Sequence, residues 1–164
     1  MALRKHRRGE LVIEQTRDLE TVRSTLESGG MITHGIEWPA ACYLLAFFGD
    51  DPVGVVGVEP MIDAALIRSL HVVEPMRRRG IATQLFAAAR KAAHTRGART
   101  IYLFAYAELV PFFARLGLTE VSVDELMNAL GGTPEVEYYQ SHLDKLGREH
   151  ALRLDISQDG VIQR

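Results

Sequence analysis

The chain has 164 residues, of which 47% are hydrophobic and 24% are charged, as is typical of one globular domain. Its net charge of −2 argues against a nucleic-acid binder, and its single cysteine excludes an internal disulfide framework or a multi-cysteine metal cluster. The longest apolar run, 40–48, is too short to cross a bilayer as a helix. We predict one domain over 1–164, no metal, and neither nucleic acid nor membrane as partner.

The amino-terminal segment 1–9 is basic, and no apolar stretch follows it. This is not the pattern of a secretory signal, so we predict a solvated basic arm on a cytoplasmic protein. Contact of the arm with nucleic acid or lipid is the alternative interpretation.

The first half of the chain has the pattern of an antiparallel meander. Two apolar runs flank the turn sequence Gly-Asp-Asp-Pro at 49–52, which is typical of a hairpin. The predicted elements are strands over 10–15, 41–48, 53–58 and 64–73, and a helix from Thr16 or Asp18 to about residue 27.

In the second half of the chain, the apolar residues change from a strand-like to a helical spacing. Apolar residues fall at helical spacing from 80 to 96 and stop at Gly97. A strand on each side of this helix requires a parallel crossover, so we predict a mixed sheet and an α/β or α+β class. The further predicted elements are strands over 101–105, 118–123 and 150–156, helices over 108–116 and in part of 135–146, a helical turn from 124, and a loop over 131–134.

The most informative stretch is a strand that leads through three arginines into a helix. Arg77, Arg78 and Arg79 stand directly before Gly80, where the helix begins. The first amides of a helix have no internal partner and lie at the positive end of its dipole. Gly80 and Ala82 are small enough to let a phosphate group approach the backbone. We predict a phosphate or pyrophosphate site, with a solvated arginine rim as the alternative.

The pattern Arg77-x-x-Gly80-x-Ala82 after a strand resembles motif A of the GNAT acetyltransferases. The upstream hairpin and the downstream Phe-Phe-Ala-Arg-Leu-Gly at 112–117 extend the resemblance over about 10–123. Val-Gly-Val-Glu-Pro at 56–60, followed by Leu-Ile-Arg-Ser-Leu, resembles the arsenic-resistance branch, and the 112–117 phrase is shared with amino-acid N-acetyltransferases. The segment 124–149 departs from the family, and we predict that it covers the acceptor site or forms a homodimer contact.

This resemblance implies a GNAT fold, with a mixed, mostly antiparallel sheet of six to seven strands flanked by helices. The fourth and fifth strands would splay apart and hold acetyl-CoA between them. The implied function is acetyl transfer to the primary amine of a small molecule, such as an amino acid or an anionic amine. The alternative is a non-catalytic sensor that binds acyl-CoA.

The resemblance also assigns a cofactor site. The backbone of Leu70 and Val72 would bind the thioester and the pantetheine arm, and the amides from Arg78 to Thr83 would cradle the pyrophosphate. Phe112 and Phe113 would line the pantetheine arm or pack in the core. The residues expected to bind acetyl-CoA are Leu70, His71, Val72, Arg77, Arg78, Arg79, Gly80, Ile81, Ala82, Thr83, Phe112 and Phe113.

Two residues are candidates for the base that deprotonates the amine. Glu59, at the end of the strand over 53–58, could act through a water, and the alternative is a surface carboxylate. His71 has an unperturbed pKa of roughly 6.5. Strand alternation places His71 on the face opposite Leu70, unless a bulge intervenes.

Burying the charge of Arg68 in an apolar strand costs free energy unless the side chain is paired. We predict that it binds an anionic group of the acceptor or forms a buried pair. Many GNAT enzymes place a general-acid tyrosine where this chain has Phe113, which cannot donate a proton. Tyr106 is a substitute, although a thiolate leaving group can also take its proton from water.

Overall fold

A computed structural model of the chain describes residues 6–161. Two short 3-10 helices, Glu74–Met76 and Ala107–Leu109, accompany the main elements. Those elements within the described range are β1 (Leu11–Thr16), α1 (Leu19–Ser28), β2 (Cys42–Phe48), β3 (Asp51–Pro60), β4 (Ala64–Val72), α2 (Ile81–Thr95), β5 (Thr100–Tyr106), α3 (Val110–Arg115), β6 (Thr119–Val121), α4 (Val123–Ala129), α5 (Pro134–Ser141), α6 (Leu143–Leu146) and β7 (Glu149–Asp155).

The strands form one mixed sheet in the order β1-β2-β3-β4-β5-β7-β6. The β1–β2, β5–β7 and β6–β7 pairs are antiparallel, whereas β4 and β5 run parallel across the crossover made by α2. This confirms the predicted fold class and the mostly antiparallel sheet. The last strand of the chain, β7, lies between β5 and β6.

The parallel ladder between β4 and β5 is short. It runs from the pair Ala64–Thr100 to the pair Leu66–Tyr102. Both strands continue beyond it, and β5 goes on to pair with β7 as far as Tyr106. The end of this ladder confirms the predicted splay of the fourth and fifth strands.

The chain forms two compact units, and their boundaries cut through β3, β4 and α2. The first unit holds the described residues up to Gly57 together with Ser69–Ala89, and the second holds Val58–Arg68 together with the described residues from Arg90 onward. The organisation of 1–164 as a single domain stays a prediction.

The core of the first unit lies between α1 and the strands β2 and β3. Asp18 caps α1 by accepting a hydrogen bond from the Thr21 amide, with 3.1 Å between Oδ1 and N. Gly54 leaves space on β3 for α2, because a Cβ there would lie 2.8 Å from a Leu85 methyl carbon. The buried members of this core are Val22, Leu26, Ile36, Tyr43, Leu45 and Val55.

The core of the second unit includes the segment that departs from the family pattern. Ser122 caps α4 by accepting from the Glu125 amide, and Pro134 begins α5. This arrangement matches the predicted helical turn, loop and partial helix. The buried members of the core are Ala64, Leu66, Tyr102, Leu126, Leu130, Val136 and Ala151.

Two predicted elements differ in detail. The helix over 108–116 is divided into the 3-10 helix Ala107–Leu109 and α3, because Pro111 lacks an amide donor and suits a first helical turn. The strand over 118–123 shortens to β6.

Residues 1–5 of the predicted basic arm lie outside the described residues, and His6 stacks on Phe47 with 4.9 Å between ring centroids. No helix among residues 6–161 is long and apolar enough to cross a membrane.

Candidate functional site

The loop between β4 and α2 carries two left-handed residues. Arg78 has a φ of 64° and Gly80 a φ of 77°. Left-handed residues in a loop turn neighbouring amides towards a common side, which is how backbones form anion-binding concavities. Arg77, Arg78 and Arg79 are all exposed around this turn. The loop therefore combines left-handed backbone with three positively charged side chains.

The start of α2 adds further donors to this loop. Its first helical hydrogen bond joins the Gln84 amide to the Gly80 carbonyl over 3.1 Å. The amides of Ile81, Ala82 and Thr83 therefore precede the helical ladder and lie at the positive end of the helix dipole. A Cβ at Gly80 would meet no heavy atom within 4 Å, so the space beside it is open. This geometry can receive a phosphate group.

Arg77 differs from the two arginines that follow it. Its Nε donates a hydrogen bond to the Val72 carbonyl, with 3.0 Å between the atoms. The Val73 amide in turn donates to the Val53 carbonyl over 2.9 Å. Arg77 thus fastens the loop to the end of β4, and Arg78 and Arg79 supply the mobile charge.

The strand β4 is irregular where it approaches this loop. Ser69 has a φ of 61°, a left-handed conformation that non-glycine residues adopt infrequently. Such a residue interrupts the alternation of side chains, as in a β-bulge. Beyond it, Leu70 is half-buried, whereas His71 and Val72 are buried. This irregularity precedes both Leu70 and His71, so the role of His71 at the site stays a prediction.

His71 packs against the end of α1. A Cβ on Gly29 would overlap the imidazole ring, so this close packing requires glycine there. The ring is 8% exposed, and its Nε2 is buried without a hydrogen-bond partner among the described residues. Burial, and secondly the charge of Arg77, lower the pKa of His71. The imidazole is therefore neutral at neutral pH.

Glu59 and Arg68 form a buried ion pair in the second unit. The Arg68 Nη1 donates to Glu59 Oε2 over 3.0 Å, and neither side chain exposes any surface. The other oxygen, Oε1, accepts the Glu135 amide over 3.1 Å at the start of α5. The alternative of a surface carboxylate at Glu59 is wrong, because the strand end is covered by α5. Of the two roles predicted for Arg68, the buried pair is present.

Three residues that the sequence did not single out complete this cluster. Glu135 is 8% exposed, and its Oε2 is buried without a hydrogen-bond partner among the described residues. Tyr139 donates its hydroxyl to Glu149 Oε1 over 2.9 Å. We call Glu59, Arg68, Glu135, Tyr139 and Glu149 the carboxylate cluster.

Burial dominates the electrostatics of the carboxylate cluster. Burial, opposed by the charge of Arg68 and reinforced by Glu59 and Glu149, raises the pKa of Glu135 to about 8. Burial also raises the pKa of Tyr139 and that of Glu149. Glu135 is therefore mostly protonated at neutral pH, while Tyr139 keeps its proton as a hydrogen-bond donor.

One signal in the sequence points to the carboxylate cluster. A buried arginine in an apolar strand requires carboxylate partners, and Glu135 follows directly after a helix-starting proline. Periodicity could not pair the two residues, because they are 67 positions apart along the chain.

The remaining predicted residues lie around α3 and the end of β5. Tyr106 ends β5, is 48% exposed, and is the cross-strand partner of Glu149. Phe113 is buried and packs edge-to-face on Phe112, with 5.1 Å between centroids. Phe113 is thus a core residue, while Phe112 is half-buried. Among residues 6–161, no group of three or more His, Cys, Asp or Glu side chains is arranged to hold a metal ion.

Several solved structures share this fold. N-acetylglutamate synthase from Neisseria gonorrhoeae, complexed with coenzyme A and N-acetyl-glutamate, matches 91% of the chain with a TM-score of 0.65 and 17% identity. The match covers 36% of the synthase, so the chain spans about a third of its length. Rv2747 from Mycobacterium tuberculosis, in complex with coenzyme A, matches over 88% of the chain and 98% of its own length, with a TM-score of 0.66 and 17% identity.

Escherichia coli ElaA shares the fold over 89% of the chain and all of its own length, with a TM-score of 0.63 and 12% identity. A search of curated protein sequences finds no match. The sequence model of the acetyltransferase (GNAT) family matches residues 13–118, which is more than half of the chain. The matched range contains the β2–β3 hairpin, β4 with its left-handed Ser69, and the arginine loop before α2. The chain therefore belongs to the acetyltransferase (GNAT) family.

Proposed function

We propose that the protein is an acetyl-CoA-dependent N-acetyltransferase that acetylates the primary amine of a small molecule. The observation that carries this proposal is the loop before α2, where left-handed backbone at Arg78 and Gly80 adjoins the first amides of a helix. Family membership supports the same assignment.

The proposed cofactor residues would make different kinds of contact with acetyl-CoA. The amides of Ile81, Ala82 and Thr83 would bind the pyrophosphate, with Arg78 and Arg79 neutralising its charge. The backbone of Leu70 and Val72 would align the pantetheine arm, although the Val72 carbonyl already accepts from Arg77. Acetyl-CoA supplies an acetyl group that is activated as a thioester.

The amine must be deprotonated before it attacks. Glu59 has both carboxylate oxygens engaged and no exposed surface, so we assign it to positioning Arg68 and α5. His71 keeps an unpartnered buried Nε2 and a lowered pKa, so it stays a candidate base. Tyr106 is exposed at the end of β5 and stays the candidate acid.

The acceptor is the least constrained part of the proposal. The N-acetylglutamate synthase structure contains an acetylated amino acid, which supports an amino acid as one candidate. An anionic acceptor cannot rely on Arg68, because that side chain is buried against Glu59. A homodimer, a cytoplasmic location and the absence of a metal stay predictions of the sequence.

A non-catalytic acyl-CoA sensor is the second candidate function. It is favoured by Phe113, which stands where many family members place a general-acid tyrosine and which is buried in the core. The two candidates differ in one outcome: a sensor binds acetyl-CoA without releasing its thiol to amines.

The cofactor site is tested by thermal unfolding with and without acetyl-CoA. We expect acetyl-CoA to raise the Tm of the wild type, because a ligand that binds only the folded state stabilises it. We expect Gly80→Glu to abolish this shift, since its carboxylate would occupy the open space and repel the pyrophosphate. Arg77→Ala should reduce the shift, because the loop loses its attachment to Val72.

Gly49→Glu is the matched control for Gly80→Glu. Gly49 also has a positive φ, 61°, and a Cβ there would likewise meet nothing within 4 Å. The two substitutions therefore impose comparable backbone strain, and only one of them lies in the loop. Equal Tm shifts with acetyl-CoA in the wild type and Gly80→Glu would contradict the site assignment.

A further inference from the structure

The helix α5 is bounded at both ends by breaks in regular backbone. Gly131 and Gly132 precede it, and Gly132 has a φ of 96°. At its other end, the helix stops at His142, whose φ of −136° and ψ of 60° separate α5 from the short α6. Glycines absorb large changes of φ and ψ at little steric cost, which suits them to act as hinges.

The first turn of α5 depends on a side chain from β3. Thr133 stands at the position before the helix but provides no side-chain cap, and its hydroxyl donates to the Leu130 carbonyl over 2.8 Å. The Glu135 amide, which comes too early in the helix for an internal partner, donates to Glu59 Oε1 over 3.1 Å. Glu59 therefore attaches the start of α5 to the sheet.

The buried face of α5 combines apolar contacts with one carboxyl group. Val136 exposes no surface and belongs to the core of the second unit. Tyr139 packs edge-to-face on Phe104, with 4.8 Å between ring centroids. Glu135 lies on the same buried face, and its Oε2 has no hydrogen-bond partner among the described residues. Buried polar atoms without partners are uncommon and call for an explanation.

The charges around Glu135 come from each strand that packs against it. Glu59 on β3 and Glu149 on β7 disfavour its ionisation, while Arg68 on β4 favours it. Burial outweighs the attraction of Arg68, so the pKa of Glu135 lies at about 8. On α5 itself, Tyr139 keeps its proton, because burial and both neighbouring carboxyl groups raise its pKa. A neutral Glu135 therefore fits the closed arrangement, whereas an ionised one is better hydrated outside it.

We propose that α5 is a proton-controlled lid. It covers the buried pair of Glu59 and Arg68 while Glu135 is protonated, and it opens about the glycines at 131–132 as Glu135 ionises. Opening brings this pair and the Glu135 carboxylate into contact with water. The lid is a conformational device of the second unit, and it does not depend on acetyl transfer.

The direction of the pH dependence follows from the two states of the lid. When the lid is closed, Glu135 keeps its proton up to about pH 8. When it is open, the carboxyl group is in water and ionises near its ordinary pKa of 4.5. Between these two values, each rise of one pH unit favours the open lid by up to about tenfold. Above pH 8 both states are ionised, so the dependence levels off.

The first experiment is amide hydrogen exchange of the wild type between pH 5 and 9, read by mass spectrometry. Rates are divided by those of an unstructured peptide at the same pH. We expect the protection of α5 to fall by up to about tenfold per pH unit between pH 5 and 8, and to stay constant above. Protection of α5 that does not change with pH would overturn the proposal.

The strand β5 is the internal reference for this experiment, because it lies inside the sheet of the same unit. We expect its amides to be better protected than those of α5. Low concentrations of urea should accelerate exchange in β5 and leave α5 unchanged, since opening a lid exposes little surface. Equal protection and equal urea dependence in α5 and β5 would show that α5 opens only when the unit unfolds, and would overturn the lid.

Glu135→Gln removes the titrating group and retains its shape. We expect this variant to keep the protection that the wild type has at pH 5 and to lose most of its pH dependence. A smaller part should remain, because burial also raises the pKa of Glu149. Glu137→Gln is the matched control, because Glu137 is exposed on the same helix, and it should retain the full dependence. Full pH dependence in Glu135→Gln would contradict the assignment.

Tyr139→Phe separates the attachment of the lid from its switch. The variant loses the hydrogen bond to Glu149 Oε1 and keeps the Glu135 carboxyl group. We expect the protection of α5 to fall about three- to tenfold at every pH, with the pH dependence unchanged. A pH dependence that disappears in Tyr139→Phe and persists in Glu135→Gln would move the switch to the pair of Tyr139 and Glu149 and overturn the proposal.

The second experiment labels a cysteine placed under the lid. Val136→Cys puts a thiol at a fully buried position, where a thiol reagent reaches it only when α5 opens. After correction for the thiolate fraction, the labelling rate should rise between pH 5 and 8, and much less so when Glu135→Gln is added. Cys42, buried on β2, is the internal reference and should not follow this rise. Equal rates with and without Glu135→Gln would contradict the lid.

Failure of the lid and failure of the proposed function have different signatures. Neither experiment contains acetyl-CoA, so both test the lid whether or not the protein transfers acetyl groups. A Tm shift with acetyl-CoA together with pH-independent protection of α5 would retain the cofactor site and remove the lid.

Discussion

Glu135 is a carboxyl group kept mainly by burial in its protonated form. An acid whose pKa is raised to about 8 in the folded protein binds more protons when folded than when unfolded, over the range between its ordinary pKa and 8. Stability from this group is therefore present at acidic pH and is lost as pH rises through the folded pKa.

This linkage predicts how stability changes with pH. Between pH 5 and 8, the wild type should lose up to roughly 1.4 kcal/mol per pH unit relative to Glu135→Gln, which cannot titrate. The measurement is urea unfolding of both proteins across this range. Parallel curves for the two proteins would show that Glu135 has an ordinary pKa in the fold.

The buried pair of Arg68 and Glu59 shows how much of a site can be predicted from residue type alone. The need of Arg68 for a partner follows from the cost of burying its charge, and the buried pair is present. For its partner Glu59, the sequence indicates only a base or a surface carboxylate. Whether a carboxylate at a strand end is covered depends on α5, which lies 75 or more residues further along the chain.

Among the elements, β4 carries several of the candidate site residues. It carries Arg68, the left-handed Ser69 and the buried His71 within four positions. The end of α1 packs on this strand through Gly29, where any side chain would overlap the His71 ring. The contact between α1 and β4 therefore depends on one glycine and one histidine.

A double-mutant cycle tests this contact. Gly29→Ala should destabilise the wild type by about 1–3 kcal/mol, because the added methyl group overlaps a buried ring. The same substitution should be nearly neutral in a His71→Ala background, where the space is free. Chemical unfolding of the four proteins measures the coupling. An equal loss in both backgrounds would place the strain elsewhere than at His71.

Elements with strong periodicity were predictable. The long stripe of α2 and the hairpin turn between β2 and β3 both follow the expected pattern. The split before α3 and the short β6 were not predicted, since they depend on Pro111 and on pairing with a distant strand. The left-handed conformation of Ser69 has no signal in residue type, because glycine or asparagine would be the usual choice.

At the scale of the whole molecule, the order of strands and helices was enough to predict a mixed sheet with one parallel crossover. The place of β7 between β5 and β6 could not be predicted from that order, because long-range pairing leaves no trace in local periodicity. This insertion matters for the carboxylate cluster, since it brings Glu149 opposite Tyr106. The cofactor loop was thus predictable from the sequence, whereas the carboxylate cluster required the assembled sheet.

The proposed function is the transfer of acetyl groups from acetyl-CoA to small primary amines. The most direct measurement incubates the wild type with acetyl-CoA and an amine, and quantifies free thiol and acetylated amine together. The panel includes amino acids, 1,4-diaminobutane and other polyamines. We predict one free thiol per acetylated amine, at a rate well above thioester hydrolysis, and loss of both products in Gly80→Glu. A Tm shift with acetyl-CoA but no thiol release above hydrolysis with any amine would contradict the claim and favour the sensor.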